Sequence, residues 1–135
     1  MIELAAESLR VAGRLRLRVG GSSMLPAIRP GDILEVRARR AADVHPGSVV
    51  LFQRGGRLFA HRVVHREGAF LVTRGDALDH PDAAIGAAQL LGEVIAVERR
   101  GRTVAARPTP RVRAAAFLFR RSALAARLFM RLSPA

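Results

Sequence analysis

The sequence predicts a mainly β protein, and three observations support this class. Short segments that are alternating or fully apolar recur through the first hundred or so residues of the 135-residue chain. Turns rich in glycine, proline and aspartate separate these segments. Helical spacing of apolar residues is confined to the two ends of the chain. We therefore expect about seven or eight short strands in coiled antiparallel sheets, a short N-terminal helix and a basic amphipathic C-terminal helix.

The expected elements follow in order along the chain. Apolar residues and arginines alternate over residues 15–19, which is typical of a strand with one solvent-exposed face. Residues 48–53 are apolar enough to be buried on both faces, and Arg54-Gly55-Gly56-Arg57 then breaks the chain as a hairpin turn does. We expect a helix at 1–13, a turn of helix at 85–91, and strands at 15–19, 33–37, 48–53, 58–66, 69–73, 92–98 and 103–106.

The chain length and one proline-rich break indicate the domain organisation. A chain of 135 residues can build one modest core but not two. Arg107-Pro108-Thr109-Pro110 is a stiff break between the last expected strand and a helical pattern. We predict a β domain over residues 1–106 and a Pro-hinged basic amphipathic tail over residues 107–135.

The composition limits the available chemistry. The chain has no cysteine, which excludes a disulfide framework and a thiolate zinc site. All 23 basic residues are arginines, so no lysine is available as a catalytic base. Residues 1–98 hold 13 arginines and all 11 acidic residues, whereas residues 99–135 hold 10 arginines and no acid. The tail therefore favours an anionic partner, either a membrane surface or nucleic acid.

The segment around Ser23 has the features of a loop that exposes one hydroxyl. Gly20 and Gly21 allow a sharp turn, and Pro26 and Pro30 fix the backbone where the chain leaves it. Ser23 is therefore a candidate nucleophile that requires a general base. A simple glycine- and serine-rich hairpin turn is the alternative interpretation.

His61 is the candidate base. Period 2 places His61 on one face of its strand with Phe59, Val63 and His65. A half-buried histidine with only a structural role is the alternative. A metal shared by His61 and His65 is disfavoured, because residues i and i+4 of a strand lie about 13 Å apart. We expect no metal and no cofactor.

A histidine base needs a carboxylate that fixes its tautomer. The loop after the strand at 69–73 offers Asp76, Asp79 and Asp82. Solvated turn residues are the alternative interpretation, which we favour for Asp79. The residues alone do not decide between Asp76 and Asp82.

Three ordered motifs resemble the type I signal peptidase superfamily, which includes the self-cleaving repressor proteases. The stretch Gly21-Ser22-Ser23-Met24-Leu25-Pro26, followed by Pro30-Gly31-Asp32, resembles its nucleophile box. Residues 46–52 with 58–64 resemble the base-bearing segment, and residues 70–76 with Asp79 and Asp82 resemble the closing box. In the endoplasmic-reticulum, archaeal and sporulation-type members a histidine in a His-Arg-Val context replaces the lysine, and His61-Arg62-Val63 is similar. The resemblance implies the same β fold.

The resemblance also implies a function and a set of site residues. It implies a serine endopeptidase that cleaves a leader or signal segment from a protein or peptide, with Ser23 as nucleophile and His61 as base. In the histidine-type relatives two aspartates of the closing box are implicated, which match Asp76 and Asp82 here. We favour Asp76 for shaping the site and Asp82, as a near-equal candidate, for orienting His61. The remaining predicted site residues are Gly21, Ser22 and Ser23 for the oxyanion, and Met24 and Pro26 for substrate.

One departure from the family pattern concerns Gly21. Many signal peptidases have a serine at this position, and its hydroxyl helps to bind the oxyanion, although the repressor-type relatives have glycine. Loss of one such donor typically costs about 2.7–4 kcal/mol of barrier. We therefore expect slow turnover.

The sequence also suggests a location and two alternative functions. Charged residues interrupt the N-terminal apolar pattern, and no run approaches the roughly 18 apolar residues of a spanning helix. We expect a cytoplasmic protein without signal peptide or transmembrane helix, whose residues 111–132 contact either an anionic membrane surface or its own β domain. The alternatives are a self-cleaving-repressor-like protein and a catalytically silent protein that binds nucleic acid or membrane through the tail. Nucleic acid is the less favoured partner, because only about 18 residues precede the site and no tryptophan or tyrosine is present for base stacking.

Overall fold

The computed structural model describes residues 2–105, and its largest feature is a seven-stranded antiparallel sheet. The predicted mainly β class and the short N-terminal helix are confirmed. The predicted helical tail lies outside the described residues. The elements are α1 (Ile2–Ala12), β1 (Arg14–Arg18), β2 (Ile33–Arg37), a 3₁₀ helix (Ala41–Asp43), β3 (Val49–Arg54), β4 (Arg57–Glu67), β5 (Phe70–Arg74), β6 (Leu90–Arg99) and β7 (Arg102–Val104).

The strand order brings distant segments of the chain together. The order is β1-β2-β6-β3-β4-β5, and β7 pairs with β6 beside β3. The long strand β6 joins the two halves of the sheet, because β2 and β3 both pair with it. As a result β4, which carries His61, lies three strands away from β2, which follows the serine segment.

The β3–β4 hairpin sets the position of His61. Gly55 and Gly56 form its two-residue turn, with φ of 58° and 76°. Two successive residues with positive φ are required by a type I′ turn, whose twist matches that of paired strands. The resulting register places His61 opposite Val50, in the middle of the sheet.

The sheet separates two apolar clusters, because successive residues of a strand point to opposite faces. Val49 and Leu51 of β3 belong to the first cluster, to which α1 contributes Leu9. Val50 and Phe52 belong to the second cluster, with Val63 of β4. His61 lies on the face of the second cluster, together with Phe52 and Phe59.

Two expectations are corrected. The predicted turn of helix over residues 85–91 is shorter than expected. The N–H groups of Gln89 and Leu90 donate to the carbonyl of Gly86 at 3.1 and 3.2 Å, which closes a single turn, whereas Ile85 makes a β-bridge with Leu71, with N···O distances of 2.8 and 2.9 Å. The predicted common face of His61 and His65 is also wrong. The β4–β5 register shifts between Val63 and His65, so His61 is buried while His65 is exposed. Within residues 2–105, no helix is long and apolar enough to cross a membrane.

Candidate active site

The serine loop runs from the end of β1 to the start of β2 and is closed at its base. The N–H of Val19 donates to the carbonyl of Asp32, and the N–H of Gly31 donates to the carbonyl of Val19, both at 2.8 Å. The buried Asp32 carboxylate also accepts the N–H of Arg29 and pairs with Arg99 at 2.8 Å. Burial and the neighbouring Arg99 lower the pKa of Arg29, whereas Asp32 acts to raise it. These contacts fix where the loop leaves the sheet.

Met24 anchors the serine loop in the first apolar cluster. Its side chain is 3% exposed and belongs to the first apolar cluster, and its sulfur accepts the N–H of Asp76 at 3.3 Å. The side chain of Met24 is thus a core residue, and its contact with substrate stays a prediction. Leu25 is fully buried, and Pro26, which follows it through a cis peptide bond, is half-buried and stays a predicted contact.

The segment that follows β5 packs directly against the nucleophile. The carbonyl of Ser23 accepts the N–H of Ala77 at 2.9 Å. A Cβ atom at Gly75 would lie 2.6 Å from that carbonyl oxygen, well inside van der Waals contact. Gly75 is therefore required for the close approach of the two segments.

Ser23 and His61 form a direct hydrogen bond. The distance from Ser23 Oγ to His61 Nε2 is 2.9 Å. The imidazole is 4% exposed, and its ring centroid lies 5.8 Å from those of both Phe52 and Phe59. If Nδ1 carries the ring proton, Nε2 is an acceptor for the serine hydroxyl. This is the geometry that a general base needs.

Asp82 supplies the acceptor for Nδ1. Its Oδ2 atom lies 2.7 Å from Nδ1 of His61. The same oxygen accepts a hydrogen bond from Thr73 Oγ1 at 2.7 Å, and the N–H of Asp82 donates to the carbonyl of Thr73 at 2.7 Å. Thr73 is not among the site residues predicted from the sequence. The signal that could have found it is a hydroxyl residue in the strand that leads into the aspartate-rich loop.

The carboxylate of Asp76 pairs with Arg62, whereas that of Asp82 pairs with His61. The Asp76 carboxylate forms two hydrogen bonds with Arg62, from Nε to Oδ1 and from Nη2 to Oδ2, both at 2.8 Å. Both side chains are buried, and Arg62 also donates to the carbonyl of Gly47 at 2.7 Å. Asp76 thus joins the base strand to the serine loop, and Asp82 contacts His61. Asp79 is exposed, as expected of a solvated turn residue.

The sequence contains a signal for the role of Arg62, which was not among the predicted site residues. Arg62 follows His61 directly, so the alternation of β4 places it on the opposite face of the sheet. An arginine at such a position has to find a buried partner, and a two-bond carboxylate pair suits its planar guanidinium.

The backbone around Ser23 retains a free donor. The carbonyl of Ser22 accepts the N–H of Leu25 at 3.2 Å, but the N–H of Ser23 donates to no protein atom in residues 2–105. Gly21 is exposed, with open space around its α-carbon. The oxyanion role of Gly21, Ser22 and Ser23 stays a prediction. The part of the chain described here contains no group of three metal-binding side chains.

A hydroxyl, an imidazole and a carboxylate connected in this order define the geometry of a Ser-His-Asp hydrolase. The family model described as Peptidase S24-like matches residues 4–95, and the chain belongs to this family. The predicted membership in the superfamily of S24 and signal peptidase-like proteins is thereby confirmed. A comparison with curated proteins finds no match. Membership indicates a serine peptidase or a self-cleaving-repressor-like function, in a family that includes catalytically inactive members.

Proposed function

We propose that this protein is a serine endopeptidase that cleaves a leader or signal segment from protein or peptide substrates, with Ser23, His61 and Asp82 as the catalytic residues. One observation carries the proposal: the uninterrupted hydrogen-bond chain from Ser23 Oγ through His61 to Asp82 Oδ2, with distances of 2.9 and 2.7 Å. Burial of His61 keeps water away from its imidazole, which strengthens the two hydrogen bonds that the ring makes.

The proposed reaction follows from these contacts. Ser23 Oγ attacks the carbonyl carbon of the scissile peptide bond while its proton passes to Nε2 of His61. The imidazolium, stabilised by Asp82, returns this proton to the leaving amine as the C–N bond breaks. Water then attacks the acyl-enzyme ester with His61 again as base, which releases the new carboxylate and restores the Ser23 hydroxyl. The free N–H of Ser23 is a donor for the oxyanion in both steps.

An open sheet edge beside His61 supports recognition of an extended substrate. β5 pairs with β4 from Arg62 to Glu67, and within residues 2–105 no strand pairs with that edge of β4 over residues 57–61. The N–H of Val63 donates toward β3, to the carbonyl of Ser48. By alternation, the peptide groups of Leu58 and Ala60 face the open edge. A substrate strand added here would lie next to the base.

The position of α1 favours cleavage of another molecule over cleavage of the chain itself. Ala12-Gly13 is the small-residue bond that a self-cleaving repressor would cut. The carbonyl of Gly13 accepts the N–H of Ala38 at 3.0 Å, and the whole of β1 separates this bond from the serine loop. A five-residue strand is about 16 Å long. The N–H of this bond also donates to the carbonyl of Leu9 at 2.9 Å, so the bond could enter the site only if these hydrogen bonds broke.

The arginine-rich tail supports a second part of the proposal. Residues 99–135 contain 10 arginines and no acid. We propose that the tail binds an anionic membrane surface and places the protease near membrane-associated substrates. Each arginine close to an anionic surface contributes about 1 kcal/mol of attraction.

Reaction with a fluorophosphonate probe tests the proposed nucleophile. We expect wild-type protein to be labelled at Ser23, Ser23→Ala to remain unlabelled, and His61→Ala to react at least about 10³-fold more slowly. Ser8→Ala is the control, since it removes a serine hydroxyl in α1, outside the serine loop, and should label like wild type. A folded wild-type protein that never labels, or labels at another residue, contradicts the proposal.

A further inference from the structure

Thr73 is a buried polar residue that the proposed reaction does not yet use. It lies in β5 and has no exposed surface, so it cannot contact a substrate. Its hydroxyl donates to Oδ2 of Asp82 and its carbonyl accepts the N–H of Asp82, both at 2.7 Å. Thr73 therefore holds Asp82 through the backbone and through the side chain.

The two side-chain contacts of Asp82 converge on one oxygen. Oδ2 accepts hydrogen bonds from both Thr73 Oγ1 and His61 Nδ1. A carboxylate oxygen has two lone pairs, so these donors occupy both. If the carboxylate rotated so that Oδ1 took the position of Oδ2, the hydrogen bonds to Thr73 and His61 would both have to break.

Asp82 needs this additional restraint because its own segment is irregular. Asp82 lies outside the helices and strands, and its side chain is 19% exposed, compared with 5% for His61. Water can therefore compete for the carboxylate, and the side chain has rotamers that point away from His61. The hydroxyl of Thr73 comes from a regular strand and gives the carboxylate a fixed reference.

We propose that Thr73 is a positioning residue, whose hydroxyl keeps Oδ2 of Asp82 directed at Nδ1 of His61. This inference rests on the proposed function. Thr73 acts through Asp82 and touches neither substrate nor reacting atoms, so its loss lowers the rate of the chemical step and leaves binding unchanged. The carbon atoms of the Thr73 side chain pack in the buried interior, and its hydroxyl positions the carboxylate of Asp82.

The kinetic test uses variants that separate the hydroxyl from the bulk of the side chain. Thr73→Val keeps the shape and removes the donor, whereas Thr73→Ser keeps the donor. For fluorophosphonate labelling of the full chain, we expect the maximal rate constant to fall about 10- to 100-fold in Thr73→Val, with half-saturation unchanged. Thr73→Ser should restore the rate to within about threefold of wild type. If Thr73→Val does not fold, Thr73→Ala carries the same expectation.

Two controls distinguish positioning from a loss of stability. Val36→Ala removes packing in the first apolar cluster, away from Asp82, and should lower stability without lowering the labelling rate. In an Asp82→Ala background, Thr73→Val should have no further effect, because the group that it positions is gone. Equal labelling rates in wild type and Thr73→Val, or an equal loss of rate in the Asp82→Ala background, would overturn the inference.

A spectroscopic measurement separates this inference from the proposed function. In ¹⁵N-labelled wild-type protein we expect a low-field proton signal from the Nδ1–H of His61 that exchanges slowly with water. Thr73→Val should broaden or move this signal through faster exchange, and Thr73→Ser should retain it. The signal does not require turnover, so an inactive wild type that shows this pattern refutes the protease proposal alone. An unchanged signal in Thr73→Val refutes the role of Thr73.

Discussion

Arg62 and Asp76 form a buried two-bond ion pair that ties the strand of the base to the loop of the nucleophile. Nε and Nη2 of Arg62 lie 2.8 Å from the two carboxylate oxygens, and the side chains are 8% and 10% exposed. The backbone N–H of the same aspartate donates to Met24, next to Ser23. The distance between nucleophile and base thus depends on a pair that takes no part in the proposed chemistry.

Removal of one partner of this pair should strongly destabilise the protein. Arg62→Met removes the two-bond guanidinium partner of the buried Asp76 carboxylate, and loss of one partner of a buried ion pair typically costs about 3–5 kcal/mol. The free energy of unfolding in urea measures the effect. The control is Arg10→Met, because the pair of Arg10 and Glu7 is 71% and 58% exposed and should contribute at most about 1 kcal/mol. Equal losses of unfolding free energy in Arg62→Met and Arg10→Met would contradict the expectation that burial makes the Arg62–Asp76 pair the more important one.

The three aspartates of the closing segment should have separable effects on reactivity. Asp82→Asn should lower fluorophosphonate labelling about 10³- to 10⁴-fold with little change in stability, because an amide favours the wrong tautomer of His61. Asp76→Asn should mainly lower stability. Asp79→Asn is the matched control on the exposed turn and should resemble wild type. Asp82→Asn with wild-type reactivity would remove Asp82 from the catalytic residues.

Gly75→Ala tests the contact between the closing segment and the serine loop. The added Cβ would lie 2.6 Å from the carbonyl oxygen of Ser23, so the loop must move. We expect a loss of about 1–3 kcal/mol in stability and a labelling rate at least about tenfold lower. Gly20→Ala is the control, because nothing lies within 4 Å of its added Cβ. A Gly75→Ala protein that labels normally would show that the contact does not position Ser23.

Gly21→Ser should increase reactivity. The space around Gly21 is open, so a serine fits and offers a hydroxyl two residues before Ser23. An added oxyanion donor typically changes the rate by about 10²- to 10³-fold, and we expect at least a tenfold gain in labelling rate. Gly21→Ala separates the hydroxyl from the added bulk and should give no gain. If both variants react like wild type, the side chain at this position does not reach the oxyanion.

Full-length protein should bind anionic vesicles through its tail. We expect cosedimentation with vesicles that contain phosphatidylserine, loss of binding as salt increases, and little binding to phosphatidylcholine alone. Replacement of Arg113, Arg120, Arg127 and Arg131 by glutamine should weaken binding without changing fluorophosphonate labelling. Binding to neutral and anionic vesicles with equal affinity would contradict an electrostatic contact.

Much of the fold follows from local sequence patterns. The Gly55-Gly56 turn and the alternation on either side of it predict the β3–β4 hairpin, and observed strand bounds differ from expected ones by one or two residues in most strands. The turn expected at 85–91 does not include Ile85, and the reason is tertiary. Ile85 is apolar enough for either conformation, and the free edge of β5 supplies hydrogen-bond partners that a local pattern does not reveal.

The same limit applies to the site. The motifs single out Ser23 and His61, which the fold brings into contact. The choice between Asp76 and Asp82 depends on how the loop after β5 returns to the sheet. Thr73 shows the same dependence, since alternation gives the face of a side chain and not its partner. The bulge at Val64, which separates His61 from His65, also has no clear sequence signal.

The segment that follows β5 folds back and pairs with β5, and this contact also affects whether the protein aggregates. The bridge between Ile85 and Leu71 and the bond from Asp82 N–H to Thr73 cover the outer edge of the last strand in the sheet. Unpaired edges invite strand-to-strand aggregation. At the opposite end of the sheet, β1 presents Arg14 and Arg18, whose charges repel an identical strand, and Arg16, which pairs with Glu98 at 2.8 Å. The segment that carries Asp82 thus also protects the edge of β5 from strand-to-strand aggregation. A variant that releases this segment should lose solubility together with reactivity.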